Sequence, residues 1–250
     1  MLGMTSTWPE DSQRPFRRYL SKVPEVTVLF WLVKVLLAPV SDTIADRSTG
    51  LLGLGVTTML VATPLAALLV AQLAINRYLP WLYWVIVLLV SVFGILVADN
   101  LTEIFDVTPA AVTIAFAVLL GAVLVIWYAT ERTLSIHTVD SPRRQAFYWL
   151  AVLFAFTFGA DFSPNGAAPV LAAVTAAVWA AHRFLRLNGA AAFWIAYALT
   201  YPLGAAVADG LAQPVATTAV SLVAIVLVVA YLTVSHRDEP SLATDASRLR

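Results

Sequence analysis

Three aspartates at equivalent positions of the chain are the side chains best suited to binding a cation. Asp46, Asp99 and Asp209 each stand fifteen residues after a tryptophan, close to the expected end of an apolar segment. A carboxylate at the carboxyl end of a helix is unfavourable by roughly 0.3 to 1 kcal/mol unless a positive charge compensates it. Carboxylates beside exposed peptide carbonyls suit Mg²⁺, Ca²⁺, Mn²⁺ or a dehydrated monovalent cation. The spacing predicts a cation or metal site formed by these three, with Asp42 and Asp161 as secondary members.

Two other interpretations of these aspartates stay open. The carboxylates could simply be solvated helix ends, or they could form hydrogen bonds between neighbouring repeats. A ring of acidic residues at the mouth of a pathway would concentrate cations there before they enter.

Lys34 is the second residue that could do chemistry, because it falls about 15 Å into the first apolar segment and so near the middle of a bilayer. A charge at that depth costs at least about 2.5 to 3.5 kcal/mol, and such residues usually pair with another charge or face a watery cavity. The candidate partners are Asp161, the hydroxyl of Tyr197 or Tyr201, and a substrate anion. Either Lys34 locks repeats together, or it is a gate that competes with a cation for the carboxylates.

These residues must be positioned by membrane-spanning helices. The 250 residues are 60% hydrophobic and 12% charged, with a mean hydropathy of +0.84, whereas soluble proteins are roughly 25% charged. Apolar runs of about 20 residues predict an all-α integral membrane protein with eight spans. The spans are Pro24 to Ala45, Leu51 to Ile75, Leu79 to Ala98, Thr108 to Tyr128, Gln145 to Phe162, Ala167 to Ala181, Ala190 to Ala208 and Val215 to Val234.

The distribution of basic residues predicts the orientation, because Lys and Arg accumulate in cytoplasmic segments. If the amino terminus is cytoplasmic, Arg47 is the one basic residue in an outer loop, and every other Lys or Arg except Lys34 falls on the cytoplasmic side. We therefore expect both termini in the cytoplasm. Residues 1–21 and 237–250 would be cytoplasmic tails, and 22–236 would be the membrane domain.

An internal repeat relates the spans to each other. An aromatic pair lies near the start of each odd-numbered span, ending in Trp31, Trp84, Trp149 and Trp194. Ten residues beyond each tryptophan stand Ser41, Gly94, Gly159 and Gly204, and fifteen beyond stand Asp46, Asp99, Pro164 and Asp209. The pattern predicts four units at about 22–78, 79–144, 145–189 and 190–236. Each unit has two spans, so the units are parallel, with odd-numbered helices inside and even-numbered helices facing lipid.

The simplest explanation of the four tryptophans is a belt at the membrane interface, where Trp and Tyr collect. Pro39 and Pro202 lie at the same offset in the first and seventh spans, and two equivalent prolines predict kinks that free carbonyls inside the bundle.

From about Lys22 to Val234 the chain resembles a family of bacterial inner-membrane proteins of unknown function, built from four tandem repeats of two membrane spans and a tryptophan. The motifs that carry the resemblance are Lys22-Val23-Pro24-Glu25-Val26-Thr27, Asp99-Asn100-Leu101-Thr102, Thr133-Leu134-Ser135-Ile136-His137 and Phe193-Trp194-Ile195-Ala196-Tyr197. The resemblance implies a multi-pass protein of the bacterial inner membrane, but it implies no activity. The family has an acidic residue at the end of its third repeat, where this chain has Pro164.

Several function classes do not fit the composition. With no Cys there is no disulfide or thiolate metal site, and a formal net charge of zero gives no basic excess for nucleic acid. The chain has no phosphate-binding glycine loop, no His pair at metal spacing and no Ser between glycines, so we expect neither an enzyme nor a bound cofactor. The expected partners are the bilayer and a small cation or solute; homo-oligomerisation is left open.

The function favoured by these residues is a small transporter that moves a cation, either a divalent metal or a cation exchanged for protons. The aspartates would bind or steer the ion, Lys34 would be the gate or counterion, and Tyr197 would line the path. One alternative is a structural or regulatory membrane protein whose buried charges only lock the repeats. Another is a carrier of organic anions that uses Lys34 as the binding charge.

Overall fold

The computed structural model describes residues 24, 26–75, 78–136, 139, 141–160, 168–211 and 214–237, with the backbone alone for 214, 236 and 237. Within those ranges the chain forms eight α-helices and no strand. They are α1 Val28–Leu52, α2 Leu54–Ala74, α3 Pro80–Asp99, α4 Pro109–Glu131, α5 Pro142–Ala160, α6 Ala168–Phe184, α7 Gly189–Asp209 and α8 Pro214–Arg237. A π-helical turn, Asn100–Ile104, continues α3.

Six of these helices are long and apolar enough to cross a membrane, namely α1 to α4, α7 and α8. The structure therefore supports a multi-pass membrane protein. The fifth and sixth predicted spans do not meet the same standard. α6 has 17 residues, and α5 begins with Arg143, Arg144 and Gln145 in its first turn, which lowers its hydropathy.

Four helices, α1, α3, α5 and α7, form a closed ring at the centre of the bundle, and we call them the ring helices. Each packs against two others of the set, in the order α1, α3, α5, α7 and back to α1. In the most apolar part of α1, α3 and α7 at least 50% of the residues are buried, compared with at most 22% in α2, α4 and α8. The prediction that the odd-numbered helices lie inside is confirmed.

The peripheral helices, α2, α4, α6 and α8, each pack mainly on the ring helix of the following repeat. α2 packs on α3 more than on α1, α4 packs on α5, and α6 packs on α7. α8 closes the cycle by packing on α1, where the hydroxyls of Thr43 and Thr218 lie 2.8 Å apart. Each repeat is therefore held against its neighbour by a helix that reaches across the boundary between them.

The small residues ten positions after each tryptophan lie where ring helices cross. A Cβ atom added to Gly94 of α3 would lie 3.0 Å from the Cβ of Phe156 in α5, and one added to Gly159 of α5 would lie 2.9 Å from the Cδ of Pro202 in α7. A Cβ on Gly204 of α7 would meet the carbonyl oxygen of Val35 in α1. The repeat thus places a side chain of minimal size at each crossing.

Ser41 occupies the equivalent position of α1. It is fully buried, and its hydroxyl donates to the carbonyls of Leu37 and Ala38 in its own helix. Because that hydrogen bond folds the hydroxyl back onto α1, the serine side chain extends little beyond its own helix, although it is larger than glycine.

The ends of the ring helices differ from the prediction. α1 continues past Ala45 to Leu52 and ends at Gly53, whose φ of 80° is unfavourable for other residues. Asp46 therefore lies inside α1 and not at its end. Asp209 is the last residue of α7, as expected. Asp99 ends α3, but the backbone continues directly into the π-helical turn.

Candidate functional site

One end of the ring holds four carboxylates, Asp42, Asp46, Asp99 and Asp209, and we call it the acidic end. The charges of Asp46, Asp99 and Asp209 all lie near enough to Asp42 to repel it. Asp42 is half-buried and accepts a hydrogen bond from the hydroxyl of Tyr201. Asp46 and Asp209 are exposed, and Asp99 is partly buried. The structure thus brings these four of the five predicted aspartates to one end, with Asp42 as the innermost.

The acidic end has no metal-binding cluster among the described residues. No group of three His, Asp or Glu side chains within those ranges is arranged to hold a metal ion, so joint metal ligation by Asp46, Asp99 and Asp209 gains no support and stays a prediction. The reason lies in the helix ends. Asp46 has helix on both sides, and near Asp99 the π-helical turn engages the peptide carbonyls that we expected to be exposed, as in the hydrogen bond from the Phe105 N–H to the Asn100 carbonyl.

Lys34 lies at the centre of the ring in an unusual environment for an ammonium group. The residue is 1% exposed, and its Nζ lies 3.7 Å from the ring centre of Phe156 and 3.6 Å from that of Tyr197. Nζ has no hydrogen-bond partner among the residues placed in the structure. The ring faces of Phe156 on α5 and Tyr197 on α7 therefore both contact the charge, and we call these two rings the Lys34 cage. Tyr197 makes this contact through its ring and not through its hydroxyl.

Phe156 connects this cage to the acidic end. Its ring packs edge-on against Tyr201 at 5.6 Å, and the Tyr201 hydroxyl donates to Asp42. Lys34 and Asp42 are eight residues apart on α1, about 12 Å along the helix. The cationic and anionic groups are thus separated along the axis by the rings of Phe156 and Tyr201.

Phe156 was not among the residues predicted from the sequence, although the repeat contains a signal for it. Phe156 and Tyr201 are both seven residues after a repeat tryptophan, and Lys34 and Tyr197 are both three residues after one. The two positions are fully or almost fully buried in all four repeats. The residues at plus three are Lys34, Val87, Val152 and Tyr197, and those at plus seven are Ala38, Ser91, Phe156 and Tyr201. Extending the alignment to these offsets would have predicted two layers across the ring.

The repeat tryptophans are mostly inside the protein. Trp84, Trp149 and Trp194 are 3%, 8% and 2% exposed, and Trp31 is partly buried. A belt facing the headgroups would leave these indoles exposed, so that explanation is wrong for the three buried ones. They pack instead with the neighbouring aromatic residue of each repeat.

Those neighbouring aromatics form a layer across the ring, one turn of helix below the Lys34 cage. The hydroxyls of Tyr83 in α3 and Tyr148 in α5 lie 2.6 Å apart and share a hydrogen bond. Phe30 in α1 and Phe193 in α7 complete the layer, with ring centres 6.2 Å apart. Phe193 also packs 5.5 Å from Tyr197, so this layer continues into the cage.

A cavity of about 850 Å³ opens at the end of the ring opposite the acidic end. Its wall includes Tyr128, Arg132 and Ser135, the first residues of α7, and Phe193 of the aromatic layer. The cavity therefore reaches the layer that closes the cage.

Some residues named from the sequence lie outside the described ranges. They include Lys22, Val23, Glu25, His137, Asp161 and Pro164. The prediction that Asp161 is a secondary ion ligand or the partner of Lys34 falls among them.

Two segments of the chain, residues 82–133 and 192–238, are similar to a family described as a Repeat of Unknown Function (DUF347). The first segment covers most of α3, the π-helical turn and α4, and the second covers most of α7 and α8. Each match thus contains one ring helix and the peripheral helix that follows it. The matches support the internal repeat in the second and fourth predicted units. No curated protein and no solved structure matches the chain.

Proposed function

We propose that this protein is a small cation transporter, spanning the bacterial inner membrane eight times with both termini in the cytoplasm. The cation would enter or leave at the acidic end, with Asp42 and Tyr201 as its innermost ligands there. Lys34 would be the gate, because a fixed positive charge on the axis repels a cation until the lysine side chain moves. The proposed path follows the ring helices and not the lipid-facing surface.

The observation that carries this proposal is the burial of Lys34 without an ion pair among the described residues, on the same helix as Asp42. A lysine that only stabilised the fold would be expected to have a carboxylate or a hydrogen-bond acceptor, because an unpaired charge inside a membrane is expensive. Four carboxylates at one end of the same ring supply the negative potential that attracts cations. A metal held by several carboxylates at once is not part of the proposal.

Transport can be measured with the purified full-length chain in liposomes. Uptake of Na⁺, K⁺ and Mg²⁺ is followed by elemental analysis, uptake of radiolabelled methylammonium by scintillation counting, and proton movement by an entrapped pH-sensitive dye. We expect at least one cation to enter faster than in empty liposomes. Asp42→Asn should reduce that rate on the order of tenfold, the effect of about 1.4 kcal/mol.

Asp106→Asn is the matched control, because Asp106 is exposed and is not one of the carboxylates that repel Asp42. Asparagine also tolerates the positive φ of 54° at that residue. Equal rates for wild type and Asp42→Asn, or no rate above that of empty liposomes for any cation, would contradict the proposal.

A structural role for Lys34 is the second candidate, because its contacts with Phe156 and Tyr197 join three ring helices. Desolvated cation–π contacts contribute about 2 kcal/mol each, similar in size to the cost of burying the charge. A transport role predicts that Lys34→Met changes the flux while the melting temperature stays near that of the wild type. A locking role predicts a lower melting temperature. Binding of an organic anion that is lost in Lys34→Met would favour the anion carrier.

A further inference from the structure

We infer that the cage formed by Phe156 and Tyr197 is the binding site for an organic ammonium cation, and that the Lys34 ammonium occupies it here as a tethered competitor. This inference rests on the proposed cation transport and names its substrate class. The substrate would be a small amine or alkylammonium ion, recognised by the faces of two aromatic rings.

The geometry around Nζ is that of a cation site. The ammonium nitrogen lies 3.6 and 3.7 Å from two ring centres, well inside the roughly 6 Å over which a cation is attracted to an aromatic face. Aromatic cages of this kind recognise quaternary ammonium and methylated lysine ligands. The side chain is 1% exposed, and its nitrogen has no hydrogen-bond acceptor among the described residues.

The chemistry of the cage selects against inorganic ions. Hard metal ions need several oxygen ligands, and the described ranges contain no cluster of acids or imidazoles arranged to provide them. An alkylammonium ion needs only a π surface around its head and apolar walls around its carbons. Val87 and Val152 supply apolar walls at the same level of the ring, and both are fully buried.

Different groups lie on the two sides of the cage along the axis of the ring. Phe156 packs against Tyr201, which donates its hydroxyl to Asp42, so a cation attracted by the acidic end would meet Asp42 and Tyr201 before the cage. On the other side, Phe193 separates the Tyr197 ring from the 850 Å³ cavity. Entry of a substrate ammonium requires the Lys34 ammonium to leave, which couples occupancy of the cage to movement of the Lys34 side chain.

Binding is tested by isothermal titration of the full-length protein in detergent with methylammonium, tetramethylammonium and potassium chlorides. We expect the wild type to bind an organic ammonium in preference to K⁺. Removing the competitor in Lys34→Met should tighten that binding at least about tenfold. Adding Phe156→Leu to Lys34→Met should weaken it by a similar factor, because one aromatic face is lost.

Phe154→Leu in the same background is the matched control. Phe154 lies two residues earlier on α5, and its ring packs against Phe116 of α4, away from Lys34. It should leave binding unchanged. This variant separates loss of the cage from general damage to α5.

Three results would overturn the inference: binding of K⁺ as tight as that of either organic cation, equal affinities in wild type and Lys34→Met, or equal loss in Phe154→Leu and Phe156→Leu. Its failure can be distinguished from failure of cation transport. If liposomes carry Na⁺, K⁺ or Mg²⁺ in an Asp42-dependent manner while no organic ammonium binds, transport stands and the substrate class is wrong.

Discussion

Replacing Gly204 with alanine is the most direct test of how the ring is closed. Gly204 lies where α7 crosses α1, and a methyl group there would overlap the carbonyl oxygen of Val35 and lie 2.9 Å from the Cβ of Ala38. The clash involves backbone, so rotation of a side chain cannot relieve it. The two helices must separate or shift.

Pro39 explains why the chain places this carbonyl at the crossing. Proline has no N–H to donate to the carbonyl four residues earlier, which in α1 is that of Val35. α1 continues through Pro39, and the Val35 oxygen, which lacks that helical partner, is the atom that a Cβ on Gly204 would meet. A larger residue at 204 would therefore create overlap with this oxygen.

The expected destabilisation is about 1 to 3 kcal/mol, the usual cost of overpacking a filled interior. Alanine's better helix propensity offsets about 1 kcal/mol of it, which leaves up to about 2 kcal/mol. For a protein of this size, that corresponds to a melting temperature lower by up to about 8 °C. The measurement is thermal unfolding of the purified protein in detergent, followed by size-exclusion chromatography of heated samples.

Gly121→Ala is the control, because a Cβ at Gly121 of α4 meets no atom within 4 Å. We expect its melting temperature to equal or slightly exceed that of the wild type. If Gly204→Ala and Gly121→Ala melt together, α1 and α7 do not cross closely at Gly204, and the closed ring is wrong.

Two further predictions concern hydrogen bonds between repeats. Tyr83→Phe or Tyr148→Phe should each destabilise the protein by about 1 to 3 kcal/mol, because the partner hydroxyl loses its hydrogen bond. The double variant should be less destabilised than either single variant. Thermal unfolding in a double-mutant cycle measures these losses, and additive losses would contradict the prediction. Thr43→Val and Thr218→Val each remove the hydroxyl contact between the first and fourth repeats. We expect each variant to lower the free energy of unfolding by about 0.5 to 1.5 kcal/mol, and the two losses not to add in the double variant. Additive losses would show that the 2.8 Å contact contributes nothing.

The arrangement of the helices could be predicted from the sequence to a large extent. Apolar length located the helices, and the tryptophan spacing identified which of them lie inside. The reason is that both signals are repeated along the chain, so that a repeat of two helices fixes the direction of every ring helix once one is known. The packing of each peripheral helix on the ring helix of the following repeat was not predictable, because the apolar faces of α2 and α4 are compatible with either neighbouring ring helix.

The chemistry of the acidic end was predicted less well. The aspartates were found and do gather, but their role as metal ligands depended on exposed carbonyls at three helix ends. α1 continues six residues beyond Asp46 because no strong helix breaker occurs before Gly53. At Asp99 the helix end depends on a π-helical turn, which has no clear sequence signature.

The Lys34 cage lies at a repeat position that is occupied by different residue types in the four repeats. Lys34 and Tyr197 occupy equivalent positions of the first and fourth repeats, and the neighbouring Val87 and Val152 are ordinary apolar residues. A ring of identical residues at this level would place four like side chains around one axis, whereas a charge needs unlike neighbours to stabilise it. Divergence at a shared position therefore marks the place where the repeats stop being interchangeable, and in this chain it coincides with the only basic residue buried in the described part of the ring.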